Sequence, residues 1–251
     1  MSGHSKWSTI KRKKGAADAK RGKIFTRLAR DVMIAAKEGG GDPSTNSMLR
    51  LAIDKAKASN MPKDNIARAV KRGTGELAGG TLEEITYEAY APHGVAILIK
   101  CLTDNTNRTL AEMRRIFNKY GGNMAQQGAV SWMFDTKGYI TVPLNHDVDP
   151  DDIFMIAADA GADDVEFGSE EAEIYTVSSQ LHAVREALES ENLEINEAEL
   201  DKFPKNEIQL GVRETLSVMK IIELLEDLDD TDKVYSNLQI SDEALTQLEV
   251  S

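Results

Sequence analysis

The chain has 251 residues, 41% hydrophobic and 29% charged, a balance that excludes a disordered coil, and no apolar run approaches the ~20 residues a membrane-spanning helix needs. A single cysteine, Cys101, excludes an internal disulfide and, with no secretory apolar stretch, points to a reducing, cytoplasmic setting. The formal net charge of −12 hides a segregation: residues 1–80 carry 18 Lys+Arg against 7 Asp+Glu, while residues 81–251 carry 12 against 35, the asymmetry of a nucleic-acid-binding part with an acidic remainder.

Residues 15–38 read as a helix, because Ile24, Phe25, Leu28, Val32, Ala35 and Ala36 recur at three- and four-residue spacing. Lys20, Lys23, Arg27, Arg30 and Lys37 fall on the opposite face at 100° per residue, and Arg21 sits near the apolar side. Gly39-Gly40-Gly41 stops this helix. A second is expected from Ser44 or Thr45 as N-cap, with Leu49, Ala52, Ile53 and Ala56 inward. A third follows Pro62, with Ile66, Ala69 and Val70 inward and Gly73 as its stop. Three amphipathic helices with short connections make a small bundle.

Beyond Gly79-Gly80 the pattern turns to α+β. Residues 82–90 alternate, Pro92-His93-Gly94 is a turn, and Val95 to Leu102 is a buried strand. Thr109 to Tyr120 is a helix. Val130 to Phe134 and Tyr139 to Val142 are predicted as separate strands around a turn at residues 135–138. A helix from Asp149-Pro150 to Ala160, a hairpin over Val165–Phe167 and Ile174–Val177, and a helix ending at Glu189 follow. Strands near Leu193–Ile195 and Ile208–Leu210, a helix over Leu216–Leu228 and a strand over Lys233–Leu238 complete the pass, giving two small sheets, each backed by helices.

The basic stretch holds Lys6, Lys11, Arg12, Lys13, Lys14, Lys20, Arg21, Lys23, Arg27 and Arg30 against one acid, Asp18. A solvated helix face is normally mixed in sign, since like charges repel in the folded state. Ten cations to one acid instead suit phosphate neutralisation, which gains affinity by counterion release without reading sequence. Trp7, beside Lys6, reads equally as a core anchor or as a stacking platform for a base. With Phe25 committed to the apolar stripe, this unit lacks an aromatic platform for single strands, and duplex DNA or structured RNA is the expected partner. At domain-sized separations, beyond the ~8 Å over which salt screens charge, the acidic remainder is expected to leave the basic unit independent.

The glycine runs are helix terminators, since no strand precedes them and no Gly-Lys-Ser/Thr follows. His4, His93, His146 and His182 are scattered, and neither metal-ligand spacing nor a nucleophile–base pair is visible. The reading is therefore a non-enzymatic protein without metal or cofactor. The acidic run Glu223, Glu226, Asp227, Asp229, Asp230 and Asp232 reads as a solvated helix end, or else as a docking patch for a basic partner or a hydrated Mg²⁺ site.

Several stretches together resemble one family: Gly3-His-Ser-Lys-Trp7, Asp18-Ala-Lys-Arg-Gly-Lys-Ile-Phe-Thr26, Gly39-Gly-Gly-Asp-Pro43, Asn60-Met-Pro-Lys-Asp-Asn-Ile66 and Arg72-Gly-Thr-Gly-Glu76. The most specific is Tyr87-Glu-Ala-Tyr-Ala-Pro-His-Gly-Val-Ala96 with Cys101-Leu-Thr-Asp-Asn-Thr-Asn-Arg-Thr109, followed by Gly121-Gly-Asn123 and Trp132-Met-Phe-Asp135. Nearly the whole chain resembles the YebC family, whose mitochondrial relatives are translational activators of cytochrome c oxidase synthesis. His93 departs from the glycine or asparagine expected there. The resemblance implies a basic helical nucleic-acid-binding domain over 1–79 and a ferredoxin-like α+β domain over 80–134 plus 207–240. It also implies an inserted α+β domain over 135–206 like those that bind double-stranded RNA, and a tail over 241–251. It implies a DNA-binding transcriptional regulator or, alternatively, a ribosome-associated translation factor; oligomeric state is left open.

Overall fold

Apolar residues at helical spacing set the first three elements. The computed structural model describes residues 17–77, 83–144, 148–168 and 170–250, with the backbone alone at 17–24 and 249–250. Helices α1 (Ala17–Gly39), α2 (Ser47–Ala58) and α3 (Lys63–Gly73) form a unit with its own core. Leu28, Val32, Ala35 and Ala36 of α1 close on Leu49 and Ala56 of α2 and on Ile66 and Ala69 of α3. The cap of α2 is Asn46, not Ser44 or Thr45. Its Oδ1 accepts the Leu49 N–H at 3.0 Å, and its amide donates to the carbonyls of Ala35 at 2.7 Å and Gly40 at 2.9 Å. One buried side chain thus ties the end of α1 to the start of α2. Gly39 lacks a side chain for that reason, since a Cβ there would fall 2.5 Å from the Asn46 amide nitrogen.

The first sheet has strands β1 (Glu83–Tyr90), β2 (Ala96–Thr103), β3 (Asn123–Met124) and β9 (Thr231–Ser236), in the order β3-β1-β2-β9 and antiparallel throughout. Helix α4 (Thr106–Tyr120) joins β2 to β3, and α7 (Val212–Glu226) leads into β9. Ile97, Ile99 and Cys101 meet Met113 and Phe117 of α4 and Val218, Met219 and Ile222 of α7 beneath one face. The turn between β1 and β2 holds His93 at φ +65°. That is the left-handed region in which glycine or asparagine carries less strain, which explains the residue expected there.

Between β3 and α7 the chain builds a second sheet. It runs β4 (Phe134–Pro143), α5 (Pro150–Asp159), β5 (Asp164–Phe167), β6 (Glu171–Val177), α6 (Leu181–Ser190) and β7 (Glu197–Pro204), with strand order β5-β6-β4-β7. Ile140, Val142, Ala172 and Ile174 pack on Ile153 and Ala157 of α5 and on Val184 and Leu188 of α6. Two split β-α-β units interleaved in an antiparallel sheet are the ferredoxin-like arrangement. The resemblance placed that arrangement in the first sheet and a double-stranded-RNA-binding likeness here. The element order differs between the two sheets: the first runs ββαβ and closes with αβ after the second sheet. A short parallel pair, β8 (Ile208–Gln209) with β10 (Leu238–Gln239), follows the return.

Three local expectations are also corrected. The predicted turn at residues 135–138 lies in the first half of one continuous strand, β4. Gly138 is there for close approach, since a Cβ would lie 2.6 Å from Thr176 Cγ2 and 3.0 Å from Leu181 Cβ. The strand expected near Leu193–Ile195 forms instead at Glu197–Pro204, because Leu193 and Ile195 pack as loop residues against the second core. The expected tail is a helix, α8 (Asp242–Val250), which sends Leu245 into the first core.

Candidate nucleic-acid interface

The predicted site residues divide by position. Lys6, Trp7, Lys11, Arg12, Lys13 and Lys14 lie outside the described residues, and Lys20, Arg21 and Lys23 lie on the described backbone of α1, whose side chains begin to be described at Phe25. Arg27 and Arg30 are seen in full, and they face the first sheet. Arg27 pairs with Asp232 at 3.2 Å and keeps 54% of its side chain exposed. Arg30 is only 14% exposed, pairs with Asp230 at 2.6 Å and also donates to the Asp229 carbonyl.

Asp230 is the centre of this contact. Its carboxylate is 1% exposed and gathers donors from three elements. Thr109 and Thr103 hydroxyls donate at 2.6 and 3.0 Å, and the Arg108 guanidinium donates at 2.7 Å. Burial pushes this carboxyl upward, but the bonds from Thr109, Arg108 and Thr103, with the Arg30 charge, outweigh burial and hold it below its ordinary 3.8. Asp31, one residue after Arg30, is pushed the other way, by burial first and by the Asp232 charge second. Asp230 immediately precedes β9, and its carbonyl accepts the Leu102 N–H at 2.8 Å, so its backbone is fixed against the first sheet.

This arrangement overturns the expected independence of the acidic region. Charges 2.6 Å apart across a junction lie well inside the screening length. Of the alternatives open for the acidic run, a docking patch for a basic partner is realised at its far end, and the partner is the chain's own α1. Among the described residues no group of His, Cys, Asp or Glu forms a metal-binding cluster, and no helix is long and apolar enough to cross a membrane.

Sequence reasoning passed over the cations of α2 and α3. Lys55, Lys63, Arg68, Lys71 and Arg72 are exposed and show no ion pair among the described residues. Arg68, Lys71 and Arg72 share one face of α3, opposite Ile66 and Ala69. The signal was available: these positions stand at i, i+3 and i+4, the spacing that puts side chains on one helix face. The density of charge near the N-terminus masked it. By contrast Arg50, on α2, is spent on the loop before it, donating to the carbonyls of Pro43 at 2.9 Å and Ser44 at 3.0 Å.

Comparison with known proteins places this geometry. Residues 5–76 match the family described as the TACO1/YebC protein N-terminal domain, and residues 82–238 match the TACO1/YebC second and third domain. A probable transcriptional regulatory protein of Thermoanaerobacter pseudethanolicus is 52% identical over 97% of this chain and 99% of its own length. One of Geobacter sulfurreducens is 52% identical over 99% of this chain and its own full length. The crystal structure of a conserved hypothetical protein from Aquifex aeolicus is similar with a TM-score of 0.80 and 42% identity, covering 90% of this chain and 93% of that one.

Proposed function

The chain belongs to the TACO1/YebC family, and on that premise we propose that it is a cytoplasmic, non-enzymatic regulator of transcription that grips duplex DNA by its phosphates. The grip comes from the basic helical unit, read as a domain over 1–79. The remainder is read as a domain over 80–134 plus 207–240 and an inserted one over 135–206. The observation that carries this reading is the open cationic face of α3, Arg68, Lys71 and Arg72, in a segment with 18 Lys+Arg against 7 Asp+Glu. It extends the basic stretch Lys6, Lys11 to Lys14, Lys20, Arg21 and Lys23. Arg27 and Arg30 leave the phosphate set, because both face carboxylates of their own chain.

A second reading, a translation factor on structured RNA, is favoured by one feature. Asn46, a residue type that reads adenine when exposed on a helix, is buried as a cap. Phosphate-type cations then dominate the outer faces of α2 and α3, which suits a backbone-shape reader. Titration of labelled duplex DNA and of a structured RNA across a salt series tests the grip. With about five phosphate contacts, log affinity against log salt should fall with a slope of about −4.5 on duplex DNA. Binding without salt dependence would overturn the reading. Sedimentation with ribosomes, against a genome-wide binding profile, separates the two settings.

A further inference from the structure

Two of the stretches that carry the family resemblance, Tyr87–Ala96 and Trp132–Asp135, meet in space. Glu88 and Tyr90 belong to the first, on β1, and Trp132 opens the second, in the short 3-10 turn Ser131–Met133 before β4. The Glu88 carboxylate is buried and accepts three backbone N–H groups of one loop: Gly128 at 2.6 Å, Val130 at 2.6 Å and Ser131 at 2.9 Å. Burial raises the cost of that charge, but the three N–H bonds outweigh it and hold the carboxyl below its ordinary 4.5. The Tyr90 hydroxyl donates to the Ala129 carbonyl at 3.1 Å. Val130 and Phe134, two residues either side of Trp132, are buried with Ala96 and Leu98 of β2 on the outer face of the first sheet. The loop is therefore held both by polar bonds to β1 and by apolar packing on β2.

What this frame presents is an indole that is 64% exposed. Its one polar group is turned back into the loop, where Nε1–H donates to the Ala129 carbonyl at 3.0 Å. An exposed tryptophan ordinarily spends its N–H on water or a partner and moves freely. Here the N–H is already satisfied and the ring is oriented, so the surface offered outward is apolar and costs little ordering on contact. A cation is tied to the same turn through its backbone: the Lys205 N–H donates to the carbonyl of Met133, the residue after Trp132, at 2.8 Å, and among the described residues its side chain makes an exposed pair with Asp135 at 3.3 Å. Exposed pairs are worth little, so Lys205 is available to a phosphate.

We propose that Trp132 is a preorganised stacking platform for one unpaired nucleobase, with Glu88 and Tyr90 as its positioning residues and Lys205 meeting the adjoining phosphate. Because it rests on the nucleic-acid reading above, it adds a contact of different physics: stacking depends on a free π-face and hardly on salt, whereas the basic unit depends on salt and not on unpaired bases. A duplex paired from end to end has no base to give, and a hairpin loop does.

The test uses the full chain and labelled probes: an RNA hairpin with an open loop, a DNA hairpin of the same sequence, and a blunt duplex of each. Trp132→Ala should weaken binding to a hairpin by about 5- to 150-fold, leave the blunt duplexes within about 2-fold, and keep the salt slope of the wild type. Trp132→Tyr should restore most of the affinity. Both hairpins affected alike identifies the base itself as the ligand, and the RNA hairpin alone affected identifies a loop whose sugar is also read; either outcome supports the platform. Equal weakening of hairpin and blunt duplex, or no weakening of any hairpin, would overturn it. Because the duplex arm and the salt slope report the phosphate grip independently, failure of that grip shows as loss of salt-dependent binding in every probe, wild type included.

Discussion

Arg30 on α1 and Arg68 on α3 are the same residue type in the same three-helix unit, yet their surroundings assign them opposite work. Arg30 is 14% exposed and ends on a carboxylate that is itself 1% exposed. Arg68 projects from an open face with Lys71 and Arg72 as neighbours. A count of cations on a helix thus measures capacity, while the element packed opposite decides the use. For Arg30 that element is the turn after α7, where Asp230 already holds Thr103, Thr109 and Arg108. Displacing Arg30 toward a phosphate would take one ion pair from a buried carboxylate and leave it to Arg108 and the two threonines, a loss that a surface phosphate contact would first have to offset.

The sharpest way to break this comparison is Asp230→Ala. Removing one partner of a buried pair strands the others, and a loss of about 3 to 5 kcal/mol in urea unfolding is expected. Arg68→Gln in the same assay should stay within about 0.5 kcal/mol. Comparable effects from the two would erase the distinction. Binding should reverse the ranking. The triple change Arg68→Gln, Lys71→Gln, Arg72→Gln should flatten the duplex salt slope by about 0.9 for each phosphate no longer neutralised, whereas Arg30→Gln should leave the slope unchanged in whatever fraction remains folded. A triple variant that keeps the wild-type slope while folded would remove α3 from the interface.

A smaller effect sharpens the electrostatics of the junction. Asp230 and Glu88 both have folded-state pKa values below their unfolded ones. Each therefore contributes stability that is present above its unfolded pKa and is lost as pH falls through the lower folded value. For Glu88 the decline begins below about 4.5, and for Asp230 below about 3.8. Asp31 has the opposite sign: its pKa is raised in the fold, so its ionisation opposes folding near neutral pH. Asp31→Asn should stabilise at neutral pH and lose that advantage in acid, while Asp230→Asn should destabilise at neutral pH and flatten the acid limb. Stability measured from about pH 3 to 7 for both variants checks the two signs against each other. The smallest effect is expected from Glu223→Gln with Glu226→Gln and Asp227→Asn, on the part of the acidic run that precedes the junction. These changes should leave the duplex salt slope nearly unaltered; a clear steepening or flattening would show that this stretch also reaches the interface.

Much of the fold was legible because it is local. Three- and four-residue spacing located α1, α2 and α3 and their inward residues, and alternation located β1 and β2, since both periods follow from backbone geometry alone. The family and the charge segregation were equally readable from residues in order. Errors arose where a residue's meaning depends on a distant neighbour. Gly138 reads as a turn in sequence and proves to be a close approach to Thr176 and Leu181. His93 departs from the residue type expected at its position, and only the φ of +65° explains the expectation.

Amphipathic period and net charge are sums over neighbouring residues, so residue order alone specifies a cationic helical unit within the first 80 residues and an acidic α+β remainder. Which of the described cations remain outward follows from packing between distant elements. Arg30 and Asp230 stand 200 residues apart in the chain and 2.6 Å apart in space. The motif of Glu88 and the loop that carries Trp132 likewise meet across 40 residues or more. No local period encodes such contacts. The first exists because β9 returns to pair with β2 after the second sheet is built, the second because β3 pairs with β1 and brings the following loop over it, and in both a buried carboxylate gathers donors from whatever elements the pairing brings within reach.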